Sequence, residues 1–150
     1  MDSRTKVAAL MAVLFLTVTA LVTLAGAQSP LPKPVLVYMG PEFFQTGGKQ
    51  WTRYRYFVEN DAAYPNTLFA ASPNLPPCGL NTKAARTWVD FYSKAGKRLN
   101  GFCALGGNKD LNGIWFALET DIIPPSYVII EMTDRQTNTK VKSNEAETTQ

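Results

Sequence analysis

Trp51-Thr52-Arg53-Tyr54-Arg55-Tyr56-Phe57-Val58-Glu59-Asn60 is the stretch on which the fold turns. Tyr54, Tyr56 and Val58 share one parity, and Arg53, Arg55 and Glu59 share the other. Successive side chains of a strand point to opposite faces, so this period of two predicts a half-buried β-strand rather than a helix. Trp51 and Phe57 interrupt the polar parity, which marks that side as partly covered or as a binding surface.

Reading outward, Val35 to Met39 is a short strand closed by Gly40-Pro41, and Leu68-Phe69 a brief one after the turn at Tyr64-Pro65-Asn66. Ser72-Pro73-Asn74-Leu75-Pro76-Pro77-Cys78-Gly79 must be a loop, because each of its three prolines lacks a ladder donor. Thr87 to Tyr92 and Arg98 to Leu105 form a hairpin across Ser93-Lys94-Ala95-Gly96-Lys97. The apolar run Ile114 to Leu118 reads as a strand buried on both faces, with Trp115, like Trp88, set in the core. Tyr127 to Thr133 and Thr139 to Lys142 follow, separated by the turn Asp134 to Asn138. Seven or eight short strands at near-regular spacing predict an all-β chain, an antiparallel two-sheet sandwich, with a small barrel as the alternative.

Residues 1–27 read as a secretory signal peptide: Arg4 and Lys6 lie in a basic start, Val7 to Ala25 carries no charge, and Ala25-Gly26-Ala27 supplies small residues for cleavage before Gln28. A retained membrane anchor or a buried helix is the alternative for a run of that length. Residues 28–34 are a Pro-rich linker, 35–144 the sandwich domain, and 145–150 a disordered tail without large apolar residues. An exported chain with two cysteines, Cys78 and Cys103, is expected to join them. A bridge across that loop is worth about 3.5 kcal/mol by chain entropy.

Taken together, residues 35–144 resemble the fibronectin type III or immunoglobulin-like modules of secreted bacterial and archaeal proteins. The resemblance is closest from Pro124-Pro125-Ser126-Tyr127-Val128-Ile129-Ile130 through Ser143-Asn144. It implies a fold and an extracellular setting, and carries over no functional residue. The antibody-type bridge spans a longer stretch of sequence than that between Cys78 and Cys103.

The chain contains no histidine, which removes the usual general base, Ser-His and Cys-His nucleophiles, and the commonest zinc ligand. Loss of Arg4, Lys6 and Asp2 with the leader lowers the net charge from +3 by one, too little for a nucleic-acid partner. A membrane would be met only through an uncleaved leader. Carboxylate-pair hydrolysis would have to draw on Glu59, Asp61, Asp90, Glu119, Asp121 and Glu131, among which spacing selects no pair.

Asn108-Lys109-Asp110-Leu111-Asn112-Gly113, followed by Glu119, matches the spacing of an EF-hand calcium loop. Asn108, Asp110, Asn112 and Glu119 would then hold a structural calcium, although strands flank the loop where helices belong. Otherwise no cofactor is expected, and the loop serves as a strand connection. Trp51, Arg53, Tyr54, Arg55 and Tyr56 are the candidate binding residues, an aromatic and cationic face for a protein or glycan. The alternative puts Tyr54 and Tyr56 in the core and leaves the arginines solvated. The expected function is that of a secreted or periplasmic, non-catalytic binding module; a structural cell-envelope component is the second possibility, and a small carboxylate-dependent hydrolase the third.

Overall fold

A computed structural model describes residues 30–78 and 84–148. The expected leader, the first residues of the linker and part of the proline-rich connection lie outside them. Among the described residues no helix is long and apolar enough to cross a membrane.

The compact unit that begins at Leu31 is a sandwich of two antiparallel sheets. Its strands are β1 (Leu36–Thr46), β2 (Lys49–Val58), β3 (Thr87–Ser93), β4 (Arg98–Ala104), β5 (Asn112–Glu119), β6 (Tyr127–Asp134), β7 (Thr139–Lys142) and β8 (Ala146–Glu147). One sheet has the order β1-β2-β5; the other runs β4-β3-β6-β7, with β8 also paired to β6. This is an immunoglobulin-like sandwich whose fourth strand joins the second sheet instead of bordering the first. The consequence is an open β5 edge.

The alternation in β2 buries Thr52, Tyr54, Tyr56 and Val58. Opposite them, β3 and β6 send in Val89, Phe91, Val128, Ile130 and Met132. Phe91 is the hinge of this packing: its ring centroid lies 5.7 Å from Tyr56 and 5.9 Å from Phe116, rings belonging to the other sheet. Burial pushes the Tyr56 hydroxyl pKa upward, and the O–H remains available to pair with Thr148 Oγ1 at 2.9 Å. The Tyr64 hydroxyl, pushed up to about 12 by burial, donates to the Pro32 carbonyl at 2.7 Å.

Several expectations are corrected here. The first strand does not stop at Gly40-Pro41. A bulge between Tyr38 and Gly40, with Gly40 at φ 112°, carries β1 on to Thr46, and an edge strand tolerates a proline whose nitrogen faces away from its neighbour. The turn into β2 is Gly47-Gly48, both at positive φ, as a two-residue hairpin requires. Leu68 and Phe69 belong to a 3₁₀ turn, Asn66–Phe69, that plugs the core instead of pairing as a strand.

Described residues of the linker and of the tail pack against the domain. Pro34 of the linker is buried, Leu31 packs on the core, and the Lys33 carbonyl accepts from Asn60 Nδ2 at 2.9 Å. In the tail, Ala146 and Glu147 pair with Val128 and Tyr127, and Thr148 is buried. A small, polar segment can dock because its backbone and its side chains both make bonds: the Thr148 N–H reaches the Ser126 carbonyl at 2.9 Å, and Lys94 and Tyr127 donate to Glu145 and Glu147.

Two asparagines join the sheets along their sides. Asn144 treats Leu36 as a strand neighbour would, with Oδ1 accepting from the Leu36 N–H at 2.7 Å and Nδ2 donating to its carbonyl at 3.0 Å. Across the sandwich, Asn100 Nδ2 of β4 donates to the Trp115 carbonyl of β5 at 2.7 Å. Chemical denaturation should find Phe91→Ala destabilised by about 3–5 kcal/mol, as expected for a large buried ring. Asn144→Ala, which strips both partners from Leu36, should lose about 1–3 kcal/mol with the slope of the transition unchanged.

Candidate functional site

The outer face of the three-stranded sheet is built by the unburied parity of β2. Cross-strand register places Trp51 between Phe44 and Glu119, Arg53 between Glu42 and Ala117, and Arg55 between Gly40 and Trp115. Arg53 reaches its two diagonal neighbours. Its guanidinium lies 4.9 Å from the Phe44 ring centroid and 4.5 Å from that of Trp115, which makes a three-layer stack. A guanidinium over an aromatic face gains roughly 0.5–2 kcal/mol, according to how far it is desolvated.

Glu42 Oε2 holds the two arginines together, at 3.5 Å from Arg53 Nη1 and 3.8 Å from Arg55 Nε. Arg53 Nε and Trp51 Nε1 are covered but form no hydrogen bond among the described residues, a cost the fold carries for the stack. Beside the stack, Met39, Arg55, Phe57, Asn112 and Gly113 line an open hollow of about 440 Å³. Half of the Met39 surface and 39% of that of Trp115 are exposed.

The structure thus gathers Trp51, Arg53 and Arg55 on one surface and separates them from Tyr54 and Tyr56. Those two tyrosines are 3% and 0% exposed and fill the core, so the five residues do not form one face. The sequence does not point to Phe44 and Glu42, because Gly40-Pro41 reads as the end of a strand. Trp115 reads as core because the run Ile114 to Leu118 carries no polar residue. Ile114 and Phe116 do point inward, but the outer face of β5 is uncovered, so the residue between them is exposed. Trp88 is likewise outside the core, half-buried on the outer face of the second sheet with Arg98 over its ring at 5.8 Å.

The calcium-loop pattern does not assemble. Asn108–Leu111 is a 3₁₀ turn, and Asp110 Oδ2 accepts from the Leu105 and Gly106 amides at 2.7 and 2.6 Å. The Asn108 and Asn112 amides donate to the Tyr64 carbonyl and to Asp61. Glu119 stands at the far end of β5, paired with Lys49. The four residues share a sequence spacing but not a centre, and no cluster of three or more acidic or cysteine ligands occurs among the described residues.

Two carboxylate pairs come close among the described residues: Glu119 and Asp121 line one hollow with Lys49, and Asp90 and Glu131 are direct cross-strand partners on the outer face of the second sheet. Like charges opposite one another are destabilising unless balanced. Here Arg98 meets Asp90 at 2.6 Å, and Lys140 and Lys142 meet Glu131 at 2.9 and 3.7 Å. This second pair is committed to three cations on the outer face of the sheet. Glu59 and Asp121 are exposed, and Asp61 is held by Lys109 at 2.9 Å.

No protein-family model matches the chain, and no curated protein matches it. Among solved structures, a human pre-T cell receptor crystal structure matches with a TM-score of 0.41 and 13% identity, over 77% of this chain and 98% of that one. The sandwich assignment rests on the strand order and register described above.

Two buried carboxylates give the domain an acid limit. The Lys109 hydrogen bond is the main cause that holds the Asp61 carboxyl below the usual carboxylate range, against the opposing effect of burial. For Asp134, burial pushes the carboxyl up, but bonds from Arg86, the Gln136 amide and Thr137, with the Arg86 charge, more than offset it. Both pKa values are depressed in the folded state, so the stability they contribute is present above about pH 4 and is lost as pH falls through the folded values. Thermal melts in acid should therefore drop below about pH 4, and Asp134→Asn, less stable at neutral pH, should show a shallower decline.

Proposed function

We propose that this chain is an exported, non-catalytic binding module whose contact surface is the outer face of the β1-β2-β5 sheet, and that its partner is a protein. The observation that carries this is the Phe44–Arg53–Trp115 stack on an uncovered sheet face, beside the hollow that holds Arg55. Arg and Trp in a fixed arrangement are the residues in which binding energy concentrates. Export is supported by the leader pattern and by a disulfide between Cys78 and Cys103.

A protein suits this surface better than a glycan. Sugar stacking needs free ring faces, and Arg53 leaves one face each of Phe44 and Trp115 for it. What favours a protein is Arg55, whose one carboxylate neighbour is shared and distant, flanked by the apolar Met39 and Phe57. A carboxylate next to an apolar side chain on the partner would satisfy both.

The test is capture from the native medium or envelope by the full chain, with cross-linking to map the contact. Arg55→Glu and Trp115→Ala should each lower retention of the captured protein by about tenfold or more, as expected when a hot spot is lost. Lys97→Glu, an exposed hairpin change remote from this face, should retain it fully. Equal capture by all of these variants would remove the face from consideration.

A further inference from the structure

Cys78 and Cys103 form a disulfide whose two sulfurs stand in different surroundings. Cys78 is 4% exposed, in the proline-rich connection, and two N–H groups converge on its sulfur. Arg135 Nη1 lies 2.9 Å from Sγ, and the Ala85 backbone N–H donates to it at 3.4 Å. Arg135 is itself fixed: Nη1 also donates to the Ala85 carbonyl and Nη2 to the Pro76 carbonyl, each at 2.9 Å. The adjoining charged pair, Arg86 and Asp134, is bidentate and neutralises itself, so Arg135 presents an uncompensated positive charge among the described residues. Cys103, by contrast, is half-buried on β4, an edge strand, and receives no such donors among the described residues.

A cation and a backbone N–H aimed at one sulfur stabilise that sulfur as a thiolate. In thiol–disulfide exchange the better-stabilised thiolate leaves, and the accessible sulfur is attacked. We infer that Cys78–Cys103 is a directional thiol-exchange site, in which an external thiol attacks Cys103 and Cys78 departs as a thiolate held by Arg135 and the Ala85 amide.

With a small thiol as the reductant, its thiolate forms a bond to Cys103 Sγ. The Cys78–Cys103 bond breaks, and its electron pair leaves on Cys78 Sγ. A second thiolate then attacks the small-molecule sulfur of this mixed disulfide. The reductant departs as its own disulfide, and Cys103 is left as a thiolate that takes a proton from water. Two reductant thiols are oxidised, and one protein disulfide is reduced. The first step leaves the connection still held by Arg135 through Pro76 and Ala85, so the site can reclose without searching for its partner.

Two measurements on the full chain test this, with reduced glutathione as the probe. Acid-quenched exchange followed by peptide mass mapping should place the glutathione adduct on Cys103 about tenfold or more over Cys78. Ultraviolet absorbance of the fully reduced protein should show one thiol ionising at least about one pH unit below the ordinary value of ~8.5. Arg135→Met should return that thiol to the ordinary range, while Arg135→Lys, which keeps the charge but loses the fork, should keep most of the shift. Adduct on Cys78 or spread evenly, two ordinary thiols in the reduced protein, or a lysine variant that behaves like the methionine one would each overturn the assignment.

Discussion

Phe91 is the ring that the second sheet packs against the stacked Tyr56 and Phe116 of the first, and the orientation of every outward residue on the first sheet follows from it. Such aromatic contacts contribute roughly 0.5–1.5 kcal/mol each beyond their buried area. Their larger effect is on register. Because strand side chains alternate, seating Tyr56 against Phe91 also sends Arg53 and Arg55 outward; a slip of one residue would bury both guanidiniums and expose three apolar side chains. The outer stack therefore takes its placement from the core. Arg53 can lie between Phe44 and Trp115 because Tyr54 and Tyr56 are held on the other side.

That coupling explains how much could be read beforehand. The alternation in Trp51 to Asn60 carries its phase openly, and β3, β6 and β7 likewise lie within a residue of the segments read for them. β1 was read only to Met39, because Gly and Pro interrupt strands in general and the exception depends on the strand lying at an edge. Trp115 was misplaced for a related reason: an unbroken apolar run states that a strand is buried without stating on how many sides. The docking of residues 144–148 is illegible because it is made by backbone groups, by the amide of Asn144 and by single polar side-chain bonds, which composition does not register.

The Asn108-to-Glu119 spacing is instructive in the opposite direction. Its oxygens are real hydrogen-bonding groups, but they serve the crossing between sheets, with Asp110 closing its own turn and Asn112 helping Lys109 hold Asp61. A helix-flanked loop would turn the same residues toward a common point; entry into a strand carries Glu119 away. The long connection between β2 and β3 is held similarly by individual polar bonds, with Arg135 gripping it at two carbonyls and one sulfur. Fold and chemistry meet at the ends of the sandwich rather than at its centre.

Asn100 and Asn144 occupy the places where a sandwich is most vulnerable to its neighbours. An edge strand with free amides and carbonyls is a template on which another chain can lay a strand of its own. Asn144 supplies a short mimic of such a strand on β1 at Leu36, and Asn100 takes up one carbonyl of β5, that of Trp115. Crowded copies of this domain thus meet rims that are already occupied at those positions.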